Sequence, residues 1–107
     1  ESDASGYVPR GFGFSGSDEQ HKKIQDWLKY FDKNTISYFS KGGGGADIGP
    51  LHRQTGTPMF GLSIDGQKYF EMHHTAKDVF ELVHARELEL GTASMASLVY
   101  LIDKYGL

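Results

Sequence analysis

The residues of this chain best equipped for chemistry are carboxylates and imidazoles. Asp3 stands in the opening Glu1-Ser2-Asp3-Ala4-Ser5-Gly6, Asp47 follows a run of four glycines at 42–45, and His73 and His74 form an adjacent pair. Carboxylate oxygen and imidazole nitrogen are ligands that Zn²⁺ accepts, at bond lengths of about 2.0–2.2 Å. Asp3 and His74 lie far apart in sequence, however, and neither sits in a local pattern of the H-E-x-x-H kind. Spacing alone makes no metal site of them, because a terminal Asp is ordinarily a solvated carboxylate and a His pair after a strand is ordinarily a turn. The glycine run invites a phosphate-loop reading, but the Gly-Lys-Ser/Thr ending is missing and Asp47 would repel the anion. Four glycines are better suited to a tight loop that other backbone approaches closely, since glycine tolerates φ > 0. Asp47 reads as a helix cap or loop brace. His21, His52 and His84 fall in helical or surface contexts and carry no chemical signal.

The elements that must position these residues follow from periodicity. Residues 4–16 carry aromatics at Tyr7, Phe12 and Phe14 among several glycines and a proline, with little periodicity, and read as an ordered loop or irregular extended stretch. Ser17 and Gln20 have capping-box spacing. Ile24, Trp27, Leu28 and Phe31 then make one apolar stripe, predicting a helix over about 18–32. Residues 35–40 read as a short strand, and 48–55 as a short helix capped by Asp47, with Pro50 tolerated in its first turn. The apolar run 59–64 predicts a buried central strand. Asp65-Gly66 is a turn dipeptide, 67–72 a further extended piece, and Thr75 with Asp78 opens a short helical turn through Leu82. From Arg86 to Lys104, the positions Leu88, Met95, Leu98, Val99 and Ile102 mark a long amphipathic helix. Ala93, Ala96 and Ser97 would let it lie close to a sheet, and Gly106 stops it. Helix, strand, helix, strand, helix is an α/β order.

Composition narrows the partners. The chain has 107 residues, one domain at most, with 38% hydrophobic and 23% charged residues, which is the balance of a globular protein. A net charge of −3 and no Lys/Arg run argue against a nucleic-acid or anionic-membrane partner. No apolar run approaches the roughly 20 residues of a membrane helix, so membrane insertion is not expected. The absence of cysteine excludes disulfides and thiolate metal sites.

Taken in order, Glu1-Ser2-Asp3, the glycine-rich turn through Asp47-Ile48-Gly49-Pro50 and the His73-His74-Thr75 segment with nearby Asp78 resemble the C-terminal part of the M28 family of zinc exopeptidases. Within it they look most like the plasma glutamate carboxypeptidase-like branch. The resemblance runs from Glu1 to about Asp103 and implies the C-terminal portion of a three-layer α/β/α fold of the phosphorylase/hydrolase-like kind, with a central mixed sheet. Residues 1–107 would then be a fragment of the catalytic domain. It also implies that Asp3 and His74 are metal ligands, each on a different zinc ion of a pair. The bridging carboxylate, the other ligands and the catalytic Glu would all precede Glu1. The chemistry implied is co-catalytic hydrolysis. Two zinc ions about 3.5–4 Å apart activate a water and polarise the scissile carbonyl, while the Glu relays the proton to the leaving amine. A peptide or dipeptide is the implied substrate, and the implied location is extracytoplasmic, secreted or periplasmic.

In the family a similar glycine turn flanks the substrate pocket, which makes Gly44, Gly45 and Asp47 candidate pocket residues. Ala46 here replaces the usual hydroxyl, losing any hydrogen bond from it. His73, adjacent to the presumed ligand, would point to the opposite side of an extended strand; it either contacts substrate or packs against the helix layer. Lacking the base and the bridge, the fragment alone is expected to be inactive, and to associate with its missing N-terminal half or a second copy. Two other readings share the fold. One is a single-zinc glutaminyl cyclase-like acyltransferase, the other a non-catalytic interaction module.

Overall fold

The computed structural model describes residues 1–3, 6–64 and 84–107. At its centre lies the strand that composition hides best. β1 (Pro9–Ser15) pairs in parallel with β2 (Tyr38–Lys41) and antiparallel with β3 (Met59–Ile64), a mixed sheet ordered β2-β1-β3. This corrects one expectation, since the stretch 4–16 contains a regular strand; β3, expected as a central strand, pairs with β1 along one edge and bonds to Glu1 along the other.

The reason lies in the alternation along β1. Phe12 and Phe14 point to one face and are almost fully buried. Gly11 and Gly13 occupy the other face. A Cβ at Gly11 would stand 2.6 Å from the Tyr38 ring, and one at Gly13 would stand 2.5 Å from the Gly42 carbonyl oxygen. Glycine weakens strand propensity, but here its missing side chain is what lets a ring and a loop close over the sheet.

The phenylalanine face gathers the core. Phe12 stacks on Phe39 (5.8 Å between ring centroids), and Phe14 tilts against Phe60 (4.8 Å). These four rings belong to one buried cluster with Ile24, Trp27, Ile36, Leu98 and Leu101. Burying each such side chain contributes about 1.5–3 kcal/mol.

α1 (Asp18–Gln25) starts on the expected capping box, the Ser17 hydroxyl accepting from the Gln20 N–H and the Gln20 side chain from the Ser17 N–H. It is shorter than expected, because from Asp26 to Tyr30 the chain tightens into a 3₁₀ helix, a common finish for an α-helix. Ile24 and Trp27 still reach the core, with Leu28 and Phe31 packed at its margin. Asp32 then builds a turn. Its carboxylate accepts from Asn34 N–H, and its carbonyl accepts from Thr35 and Ile36 N–H. That turn consumes the first half of the strand expected at 35–40, so β2 begins only at Tyr38.

α2 (Gly49–Thr55) ends at Gly56, whose φ of +70° gives the left-handed cap. α3 (Ala85–Tyr105) is the long helix expected near the C-terminus, and it stops at Gly106. Its buried line is Gly91, Ser94, Leu98 and Leu101. The expected stripe is therefore corrected, since Leu88 and Val99 are exposed. Gly91 and Ser94, rather than Ala93, Ala96 and Ser97, are the small residues facing inward. The Ser94 hydroxyl satisfies itself on the Leu90 carbonyl.

Among the described residues, α1 and α3 supply the core on one sheet face, and the loop at 42–45 crosses the glycine face. The arrangement is α/β with a small mixed sheet. No described helix is long and apolar enough to cross a membrane. The extended piece expected at 67–72 and the helical turn expected at 75–82 lie outside the described residues.

Candidate metal centre

Backbone pairing places the N-terminal residues beside β3. The Glu1 ammonium donates to the Phe60 carbonyl at 2.7 Å, and the Leu62 N–H donates to the Glu1 carbonyl at 3.0 Å. One residue bonding to positions on either side of its neighbour is the pattern of a parallel ladder. Glu1 thus adds a rung to β3 on the side away from β1, and Asp3 follows two positions on.

The second wall is the glycine loop. Gly13 and Gly61 are register partners on β1 and β3, and the loop lies directly over them. A Cβ on Gly43 would overlap the Gly13 backbone, and one on Gly61 would come within 2.7 Å of the Gly44 nitrogen. Three hydrogen bonds latch the loop down. Gly42 N–H donates to the Phe14 carbonyl (2.7 Å), Gly43 N–H to the Ser15 hydroxyl (3.0 Å), and that hydroxyl to the Gly43 carbonyl (3.0 Å). Gly44, at φ +87°, turns the chain beside the Met59 side chain. Gly45 then abuts the Glu1 carboxylate so closely that a Cβ there would collide with it. Glu1 Oε2 accepts from the Ile48 N–H at 3.2 Å, tying the loop's end to the strand edge.

The outcome is a convergence of carboxylates. One oxygen from each of Glu1, Asp3 and Asp47 lies within 4.8 Å of the others. Asp3 and Asp47 are exposed and Glu1 is half-buried, with its Oε1 buried and without a hydrogen-bond partner. Two like charges about 4 Å apart repel by about 1 kcal/mol in water and about 4 kcal/mol at the effective dielectric of a protein surface. A divalent cation would remove that repulsion, and an all-oxygen cluster with an orphaned buried oxygen suits one. The residues present therefore fit a metal centre.

The expected site residues distribute unevenly. Asp3 and Asp47 come together. Asp47 caps no helix, because Ile48 is the N-cap of α2 and no side chain bonds there. Gly44 and Gly45 shape the loop that carries Asp47. His73 and His74 lie outside the described residues. Glu1 is the member that sequence reasoning missed, although a signal was present. Residues i and i+2 of an extended segment face the same side, so a strand that presents Asp3 presents Glu1 with it.

Comparison with known proteins adds an independent line. Carboxypeptidase Q of Bos taurus is 28% identical to the chain over 102 residues, covering 95% of the chain and 21% of that protein. The Homo sapiens protein of the same name gives the same identity and coverage, and that of Mus musculus is 26% identical, with 22% of its length covered. No family model matches the chain, and no solved structure matches it. The chain spans about a fifth of the length of the curated relatives it matches. At low identity, but along nearly all of its own length, it is homologous to one segment of carboxypeptidase Q.

Proposed function

We propose that this chain is the C-terminal part of a di-zinc metallo-exopeptidase of the M28 kind, in the plasma glutamate carboxypeptidase-like branch. Its substrate class is a peptide or dipeptide cleaved next to a chain terminus, and its location is extracytoplasmic. The observation that carries this reading is the similarity to carboxypeptidase Q over 102 residues, 95% of the chain, a span within which His74 must fall.

In this reading Asp3 and His74 each hold one zinc ion, which suits the preference of Zn²⁺ for carboxylate and imidazole. Such ions, when bound, supply Lewis acidity at the scissile carbonyl and make a nearby water more acidic. The chain's own residues fix the geometry. Glu1 braces the strand edge against the Ile48 N–H, which steadies Asp3 two positions away. Residues 42–45, latched to Ser15 and Phe14, hold Asp47 beside Asp3 and form one wall of the cleft. With no hydroxyl at Ala46, substrate contacts on this wall fall to loop N–H groups and to Asp47. The general base and the bridging carboxylate belong to segments preceding Glu1.

A direct assay separates the part from the whole. The 107-residue chain supplied with Zn²⁺ is expected to show no hydrolysis of aminoacyl or dipeptide reporters. The longer protein that contains it is expected to turn them over and to lose that activity to a chelator. Chelator-sensitive turnover by the 107-residue chain, or none by the longer protein, would overturn the reading.

A further inference from the structure

Sharing no residue with the carboxylate cluster, the C-terminal half of α3 presents an unusual surface. Residues 90–102 carry no charge, yet Val99 and Tyr100 are 62% and 61% exposed. Tyr30, from the 3₁₀ helix, and Tyr105 stack at 5.9 Å with an 18° interplanar angle, and their hydroxyls are 3.0 Å apart. A hollow of about 400 Å³ opens over Ala96 and Ser97, walled by Tyr100 and Lys104. A second, of about 250 Å³, reaches Trp27 and Lys29. Both are lined by Tyr30 and Tyr105, so the two hollows adjoin across this pair as a divided trough.

Cations rim this trough. Lys104 Nζ sits 5.8 Å from the Tyr100 ring centroid and 5.4 Å from that of Tyr105, and Lys29 Nζ sits 5.2 Å from that of Tyr30. Neither ammonium pairs with a carboxylate among the described residues. Lys23 lines the second hollow, where Asp26 is the single carboxylate among the described lining residues. The trough is thus locally positive on a chain whose net charge is −3.

We infer that this trough is a docking site for an extended acidic peptide. The exposed rings offer stacking surface at low entropic cost, and the two ammonium groups meet carboxylates spaced along the ligand. Each hollow, of about 400 and about 250 Å³, exceeds what a free carboxylate or phosphate fills, and an extended chain can pass over both, which favours a peptide over a small anion. The neighbouring phenols support the same chemistry. Lys104 has its pKa raised, chiefly by Tyr100 and then by Tyr105. Tyr30 has its pKa lowered, first by the hydrogen bond with Tyr105, while that of Tyr105 is raised by the same bond. Either hydroxyl can donate in this contact. The site stands apart from the carboxylate cluster and does not depend on the peptidase reading.

The test is an NMR titration of the 107-residue chain with acetyl-hexaglutamate amide, with acetyl-hexaglutamine amide and inorganic phosphate as controls. Hexaglutamate should produce saturable shifts at Tyr30, Tyr100, Tyr105 and Lys104. The double variant Lys29→Gln/Lys104→Gln should bind about tenfold more weakly, whereas Lys41→Gln, which lines neither hollow, should bind normally. Equal binding of hexaglutamine would overturn the proposal. So would shifts confined to other surfaces, the same response to phosphate alone, unaltered binding by the double variant, or concentration-dependent shifts without peptide that mark a second copy in the trough.

Discussion

Alanine at Gly43 should destabilise the protein by about 3 kcal/mol or more, the upper end of the ordinary overpacking penalty. A methyl group there meets the backbone of Gly13 on the central strand, which has no side chain to rotate away. Either β1 moves, at the expense of the aromatic cluster built on Phe12 and Phe14, or the loop lifts and loses its latches to Ser15 and Phe14. Gly42→Ala provides the contrast. Its φ is +78° and its Cβ would meet open space, so only left-handed backbone strain of about 1–2 kcal/mol applies. Denaturant unfolding of the two variants measures the difference. Equal midpoints would mean that the loop does not rest on Gly13 as described. For a domain with about 5–15 kcal/mol in total, the Gly43 change removes a large share.

The larger functional effect belongs to Asp3. In the longer protein, Asp3→Ala should lower kcat/KM for dipeptide hydrolysis by more than the 10–100-fold typical of losing a group that only orients a metal ligand. Glu1→Gln is the informative companion. It keeps an oxygen for the Ile48 N–H but gives up the charge, so its loss should stay within about 10–100-fold. Steady-state kinetics with metal analysis on both variants distinguishes the roles. A near-normal Asp3→Ala enzyme with full metal content would remove Asp3 from the ligand set, and a Glu1→Gln enzyme as crippled as Asp3→Ala would make Glu1 a ligand rather than a brace.

Much of the frame was legible where local chemistry decides local structure. The Ser17–Gln20 capping box, the Gly106 stop and the strand at 59–64 all depend on a few adjacent residues, and each was readable. β1 was not, because half of its positions lack side chains and the reason for that lies in Tyr38 and residues 42–43, distant in sequence. The face of α3 was misjudged for a related cause. Its apolar residues outnumber the inward positions, so Leu88 and Val99 could be assigned inward by periodicity although Gly91 and Ser94 are the ones in contact. At the site, Asp3 was singled out by resemblance and by no local spacing, and it came without Glu1. Asp47 was read as a cap because a carboxylate before a helix commonly serves as one, whereas here the loop latch turns it toward Asp3. His74 rests on resemblance alone.

The central claim is that Asp3 and His74 belong to one pair of zinc ions. Zinc-edge anomalous diffraction from crystals of the longer protein tests it most directly. We expect two peaks about 3.5–4 Å apart, one at about 2.0–2.2 Å from an Asp3 carboxylate oxygen and the other at a similar distance from a His74 imidazole nitrogen. Zinc held without either residue, or His74 on the opposite face of the sheet from Asp3, would contradict the account.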